Sequence, residues 1–106
     1  LLQMNDPLAQ EVAEQALKLS PNNSAYADTL GWILVSKGQS EAGLRYLREA
    51  RLRSPENGEF RFHLAYALAK IGRNEEARDE MRAADANWGG AAHNPMFSQL
   101  KRELGI

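Results

Sequence analysis

The side chains of this sequence that could do chemistry are few and scattered. There is no cysteine, which removes thiol nucleophiles, disulfide frameworks and cysteine-ligated zinc together. Of the two histidines, His63 lies in a helix-like stretch and His93 in a loop-like one, and neither has a second histidine or carboxylate at the spacing of a HExxH-type metal site. Both read as structural or surface residues. No Gly-x-Ser-x-Gly elbow surrounds Ser24, Ser36, Ser40, Ser54 or Ser98. Gly89-Gly90 lacks the Lys-Ser or Lys-Thr that follows a phosphate-cradling loop. The expectation is therefore a chain with no catalytic residue, no cofactor and no metal, and not an enzyme.

Two clusters of charge remain. Glu75, Glu76, Asp79 and Glu80 crowd one segment and could bind a cation. The plainer reading is a solvated helix face, with Glu75–Arg78 and Asp79–Arg82 as weak pairs three residues apart. Arg45, Arg48, Arg51 and Arg53 make another segment basic, offset by Glu41 and Glu49. Glu41–Arg45 has favourable i,i+4 spacing, so this too reads as a solvated face, with an acidic protein partner as the sharper alternative.

The elements that carry these residues must come from 106 positions, a single domain by length. At 43% hydrophobic and 25% charged residues the composition is that of a folded globular chain, not of a disordered one. A net charge of −1 gives no basic stripe from which counterion release could drive nucleic-acid binding. The longest apolar run, Trp32 to Val35, is far short of the roughly 18 residues of a spanning helix, so no membrane contact is expected.

One interval organises the chain. Pro21 and Pro55 stand 34 positions apart, as do Gly38 and Gly72, and the triplets Ala9/Gly43/Ala77 and Ala16/Ala50/Ala84 keep the same step. Superposing residues 24–57 on 58–91 pairs Tyr26 with Phe60, Leu30 with Leu64, Gly31 with Ala65, Trp32 with Tyr66 and Leu34 with Leu68. Tyr26, Leu30 and Leu34 fall at i, i+4 and i+8, the apolar stripe of an amphipathic helix, here called A. A second helix, B, follows each turn glycine. Asp6, Ser40 and Asn74 form a column at its start and are expected to cap it, with Pro7 in the first helical position. Leu44, Leu47 and Ala50 then supply the apolar face of one B helix, and Ala77, Met81 and Ala84 that of the next. Small residues at Gly31, Gly43, Ala65 and Ala77 are expected where helices approach to about 8–10 Å.

On these residues the chain resembles the tetratricopeptide repeat family over most of its length. The family's helix-A Leu-Gly pair stands as Leu30-Gly31 and Leu64-Ala65, its turn glycine as Gly38 and Gly72, its B-helix alanines as Ala77, Ala50 and Ala84, and its closing proline as Pro21 and Pro55. It departs from the pattern where Ala27 and Arg61 fill the early tryptophan position, Leu34 and Leu68 the later aromatic, and Gly89 the last closing proline. The resemblance implies an all-α fold, a right-handed superhelical stack of antiparallel helix pairs. A second resemblance runs from Asp28-Thr29-Leu30-Gly31-Trp32 through Phe62-His63-Leu64-Ala65 to Ala77-Arg78. It is to the C-terminal repeats of bacterial tetratricopeptide lipoproteins of exosortase and exopolysaccharide systems, and it implies a periplasmic or outer-membrane-associated setting and a role in export.

The single domain over 1–106 then divides into a B helix at 6–20, repeats at 24–57 and 58–91, and a capping helix at 94–106 that opens on Asn94-Pro95 and stops at Gly105. Residues 1–5 would be the tail of a preceding A helix or its turn. With Leu1-Leu2 in place of Met and a B helix lacking its A helix, the chain is expected to be a fragment of a longer array, a processed short chain being the alternative.

In the resembled family helix A lines the concave face, and its ligand-facing columns fall on Asp28, Trp32, Val35 and Ser36 and on Phe62, Tyr66, Ala69 and Lys70. This mixture suits an extended peptide, with aromatics as anchors and Lys70 as a cation; Trp32 and Tyr66 could equally pack as core between repeats. The expected function is a protein-interaction scaffold that binds a peptide or partner protein. The alternative is a capping or homo-oligomerisation segment that pairs through the first helix, where Leu8, Val12 and Leu19 lack a cover.

Overall fold

The computed structural model describes residues 6–106, apart from the side chain of Ala92; the expected tail or turn at 1–5 lies outside them. Six α-helices follow one another, α1 (Ala9–Leu19), α2 (Ser24–Ser36), α3 (Ser40–Arg53), α4 (Gly58–Lys70), α5 (Asn74–Asn87) and α6 (Pro95–Leu104), with one 3₁₀ turn at Ala91–His93. No strand occurs among the described residues, and no helix there is long and apolar enough to cross a membrane. The fold is all-helical and tetratricopeptide-like: α2 packs on α3 and α4 on α5 as antiparallel hairpins, and α3 packs on α4 to stack one hairpin on the next.

Glycine makes the turns within each hairpin. Gly38 and Gly72 have φ of 81° and 83°, a left-handed conformation that costs any residue with a Cβ. The chain folds back through them, the Gln39 N–H donating to the Leu34 carbonyl and the Arg73 N–H to the Leu68 carbonyl, each at 2.9 Å. These turns leave no place for the expected caps. The chain is already helical by Ser40 and Asn74, so the cap positions fall on Gln39 and Arg73, which make no side-chain cap bond. Only Asp6 of that column accepts from a nearby backbone N–H, that of Leu8 at 2.8 Å, and α1 itself starts at Ala9, past Pro7. The side chains that cap are at the A helices: Asn23 accepts from the Tyr26 N–H and Asn57 from the Phe60 N–H, both at 3.0 Å. They too stand 34 apart, each two residues past a closing proline, so the capping column of this repeat lies at its A helices and not at its B helices. Asn94 caps α6 through the N–H groups of Met96 and Phe97, and Gly105 ends it at φ 73°.

The hairpins close because their facing positions are small. A Cβ on Gly31 would lie 2.7 Å from Leu47 Cγ and 3.0 Å from the Gly43 carbonyl, and one on Gly43 would lie 2.5 Å from the Gly31 carbonyl. In the second hairpin Ala65 and Ala77 take the matching positions, both fully buried. The main core joins Leu47, Phe62, Leu64, Leu68, Met81 and Ala84 to Phe97, Leu100 and Leu104 of α6. Trp88, in the stretch where the repeat register fails, stacks on Phe62 at 5.7 Å and meets Phe97 edge-on at 5.8 Å. Tyr26 is exposed while its counterpart Phe60 is buried, because Phe60 packs on Ala27 and Ala50 of the preceding hairpin and only α1 precedes Tyr26 among the described residues.

The charged clusters are less solvated than their spacing implied. Glu80 is buried and receives Arg51 at 3.2 Å and Arg61 at 3.1 Å. Glu76 takes Arg48 at 3.1 Å and also pairs with Arg73. Asp79–Arg82 forms at 3.1 Å as spaced, but Arg78 donates to the Leu104 carbonyl at 2.9 Å in place of Glu75. Arg45 lies over the Tyr46 ring, 4.8 Å from its centroid, not against Glu41. Two arginines of the basic helix α3 thus tie it to the acidic helix α5. Repeat-to-repeat geometry, not spacing along one helix, sets these partners.

Candidate partner-binding groove

The A helices α2 and α4 lie side by side, and a cleft of about 400 Å³ opens between them at the end where their chains turn. Trp32, Val35 and Ser36 of α2 form one wall, Tyr66 and Lys70 of α4 the other, and Met96 of α6 the lip, with Ser40 at the start of α3. A second hollow of about 70 Å³ continues from Tyr66, Lys70 and Met96 to Gln99, Leu100 and Glu103. Because the two share three residues, they form one groove running across α2, α4 and α6.

Its floor is aromatic and held from beneath. The Trp32 indole stacks on the His63 imidazole with centroids 4.2 Å apart and planes 18° from parallel, and it meets the Tyr66 ring edge-on at 5.2 Å. His63 is buried and fixed in turn, its Nδ1 lying 2.8 and 3.0 Å from the two carboxylate oxygens of buried Asp28. A carboxylate oxygen is the acceptor in such a pair, so the ring Nδ1–H donates to Asp28. The pair spans α2 and α4, so one hydrogen bond both joins neighbouring hairpins and orients the ring under Trp32. On the opposite wall the Lys70 ammonium sits 5.0 Å from the Tyr66 centroid, a cation–π distance. The Ser36 hydroxyl donates to the Trp32 carbonyl at 2.9 Å, so it presents oxygen lone pairs to the groove.

The structure sorts the residues singled out in the sequence into two sets. Trp32, Ser36, Tyr66 and Lys70 come together on the groove with Val35, which is buried and shows only an edge to it. Asp28 and Phe62 lie beneath: Asp28 holds His63, and Phe62, 2% exposed, packs among Trp32, Trp88 and Phe97. Residues at consecutive turns of one helix do not share one exposure once a second layer of helices rises beside them. Met96, Gln99 and Glu103 also line the groove; they stand on a helix outside the repeat register, where no column of the repeat marks a ligand-facing position. No group of three or more metal-ligating side chains occurs among the described residues.

The model of the tetratricopeptide repeat family matches residues 29–92. No curated protein matches the chain in sequence. Among solved structures, PcrH in complex with the chaperone binding region of PopD is similar with a TM-score of 0.69 and 24% identity, over 91% of this chain and 70% of that one. The Yersinia enterocolitica type III secretion chaperone SycD in complex with a peptide of the translocator YopD gives 0.71 and 20%, over 91% and 71%. A type III secretion complex from Aeromonas hydrophila gives 0.71 and 21%, over 92% and 63%. At these identities the likeness is one of fold.

Proposed function

The chain belongs to the tetratricopeptide repeat family, and from that premise we propose that it is a non-enzymatic protein-interaction module holding an extended segment of a partner protein across α2, α4 and α6. One observation carries this reading: the groove gathers Trp32, Tyr66 and Met96 as apolar surface beside the Lys70 ammonium. Half-buried aromatics of fixed orientation suit an anchor, since they bury much area and lose few rotamers on binding. Two neighbours of the same fold, PcrH and SycD, hold peptides of other proteins, which supports a peptide as the ligand class. The reading extends to export or assembly at the bacterial envelope, on the residue resemblance to export-associated lipoproteins and the likeness in fold to SycD, a type III secretion chaperone.

Selection of displayed random peptides on the intact chain tests it. Enriched sequences are expected to bind at least about tenfold more weakly to Tyr66→Ala and Trp32→Ala chains, the loss typical of a hot-spot residue, with helical circular dichroism retained. Enriched peptides indifferent to both substitutions would place the binding surface elsewhere.

A second reading is self-association through α1, favoured by the exposure of Leu8 at 55%, Val12 at 53% and Leu19 at 82%. Sedimentation over a range of concentrations separates it, with Val12→Glu expected to abolish any concentration-dependent growth.

A further inference from the structure

Taking the groove reading as its basis, we infer that the groove selects a charge pattern: an apolar side chain over Trp32, a carboxylate two residues along at Lys70, and a neutral or basic residue two further at Glu103. The pattern follows from where the groove's charges stand and what they lack. Among the described residues Lys70 has no carboxylate partner and only the Tyr66 ring beneath it. Arg48, Arg51, Arg53, Arg61, Arg73, Arg82 and Lys101 are paired with acids; Lys18, Lys37, Arg45, Arg78 and Arg102 are not, among the described residues, but of the unpaired cations Lys70 is the one that lines the groove. Glu103 has no cation either; its recorded partner is the Gln99 amide, which donates to one carboxylate oxygen at 3.1 Å. The two opposite charges line the same hollow without closing on each other, so an occupant that enters between them can satisfy both.

Distances set the spacing. The Trp32 and Tyr66 centroids are 5.2 Å apart and Lys70 Nζ is 5.0 Å from the latter, so the ammonium is at most about 10 Å from the indole. Side chains on one face of an extended strand repeat every second residue, about 6.6–6.8 Å apart. A carboxylate two residues from an apolar anchor falls within that bound of Lys70, and the next side chain on that face enters the hollow that Lys70 shares with Glu103. Glu103 repels an acid there and so fixes the order.

Fluorescein-labelled nonapeptides test this: one set carries Leu, Asp and Lys at alternate positions, the other exchanges Asp and Lys, and each is made in both chain directions. In the tighter direction the Leu-x-Asp-x-Lys order is expected to bind on the order of fivefold more tightly than the exchanged order, the worth of a partly exposed ion pair. The difference should vanish in 1 M salt, and the Lys70→Glu, Glu103→Lys double variant should reverse it. Both positions are exposed, so the variant keeps its fold. Equal binding of the two orders, or a preference unchanged in the double variant, overturns the inference and leaves the groove in place. Absence of binding by any of these peptides at millimolar concentration also overturns it, while the display selection on Trp32 and Tyr66 decides the groove separately.

Discussion

At the scale of single residues, a side chain in this chain can pack and present at once. Trp32 gives one face to His63 and still lines the groove, so core and binding surface are two sides of the same ring. The Asp28–His63 pair beneath it connects α2 to α4. Asp28→Ala would leave a buried imidazole N–H without its acceptor, at a cost of about 1–3 kcal/mol. At about 4–8 °C per kcal/mol for a domain near this size, thermal denaturation should register it clearly, with Asp28→Asn less affected because its amide oxygen still accepts. An Asn variant as unstable as the Ala one would remove the hydrogen bond from the account. Gly31→Leu should cost on the order of 1–3 kcal/mol or more, since even a Cβ there would sit 2.7 Å from Leu47; an unchanged melt would contradict the close approach of α2 and α3. The Gly31 constraint was legible in the sequence because a glycine inside a helix demands a reason. The Asp28–His63 contact was not, because comparing positions 34 apart aligns like with like and hides partners that meet across the repeat.

Between elements, the turns were readable and the ties were not. A turn glycine acts locally, through its own φ, so Gly38 and Gly72 announce themselves. The pairs Arg48–Glu76 and Arg51–Glu80 join α3 to α5, and which arginine meets which acid depends on how one hairpin rotates on the next. Glu76 shows a consequence. The hydrogen bond from Arg48 first, with the charges of Arg73 and Arg48, holds its carboxyl below the ordinary glutamate value. A carboxyl lowered in the folded state contributes stability that is present above its unfolded value, about 4.3, and lost as pH falls through the folded one. Wild type should therefore melt above Glu76→Gln at neutral pH, and the gap should close as the solution is acidified below about pH 4. A gap independent of pH would mean that the pair contributes no such linkage.

As a whole molecule the chain measures 38 × 25 × 24 Å with a radius of gyration of 13.1 Å, close to the roughly 13 Å of any compact domain near 100 residues. Two hairpins with a helix at each end are still a globule, and this gives α6 more to do than cap. It seals the last hairpin with Phe97, Leu100 and Leu104, is latched by Arg78 to its final carbonyl and by Lys101 to Asp85 at 3.1 Å, and supplies the far end of the groove. Stacked repeats couple mainly to their nearest neighbours, so a terminal helix could melt alone. Here Phe97 shares one continuous core with Leu47 on α3 and Phe62 on α4, which argues for a single transition. Phe97→Ala should cost about 3–5 kcal/mol, a large part of the 5–15 kcal/mol typical of a domain. Calorimetry should show one cooperative transition displaced to lower temperature, and near-ultraviolet circular dichroism should show Trp88 losing its fixed surroundings in the same step. Two resolved transitions, with the helical signal of 24–87 surviving the first, would instead make α6 an independently docked element and the groove's far wall a separable part.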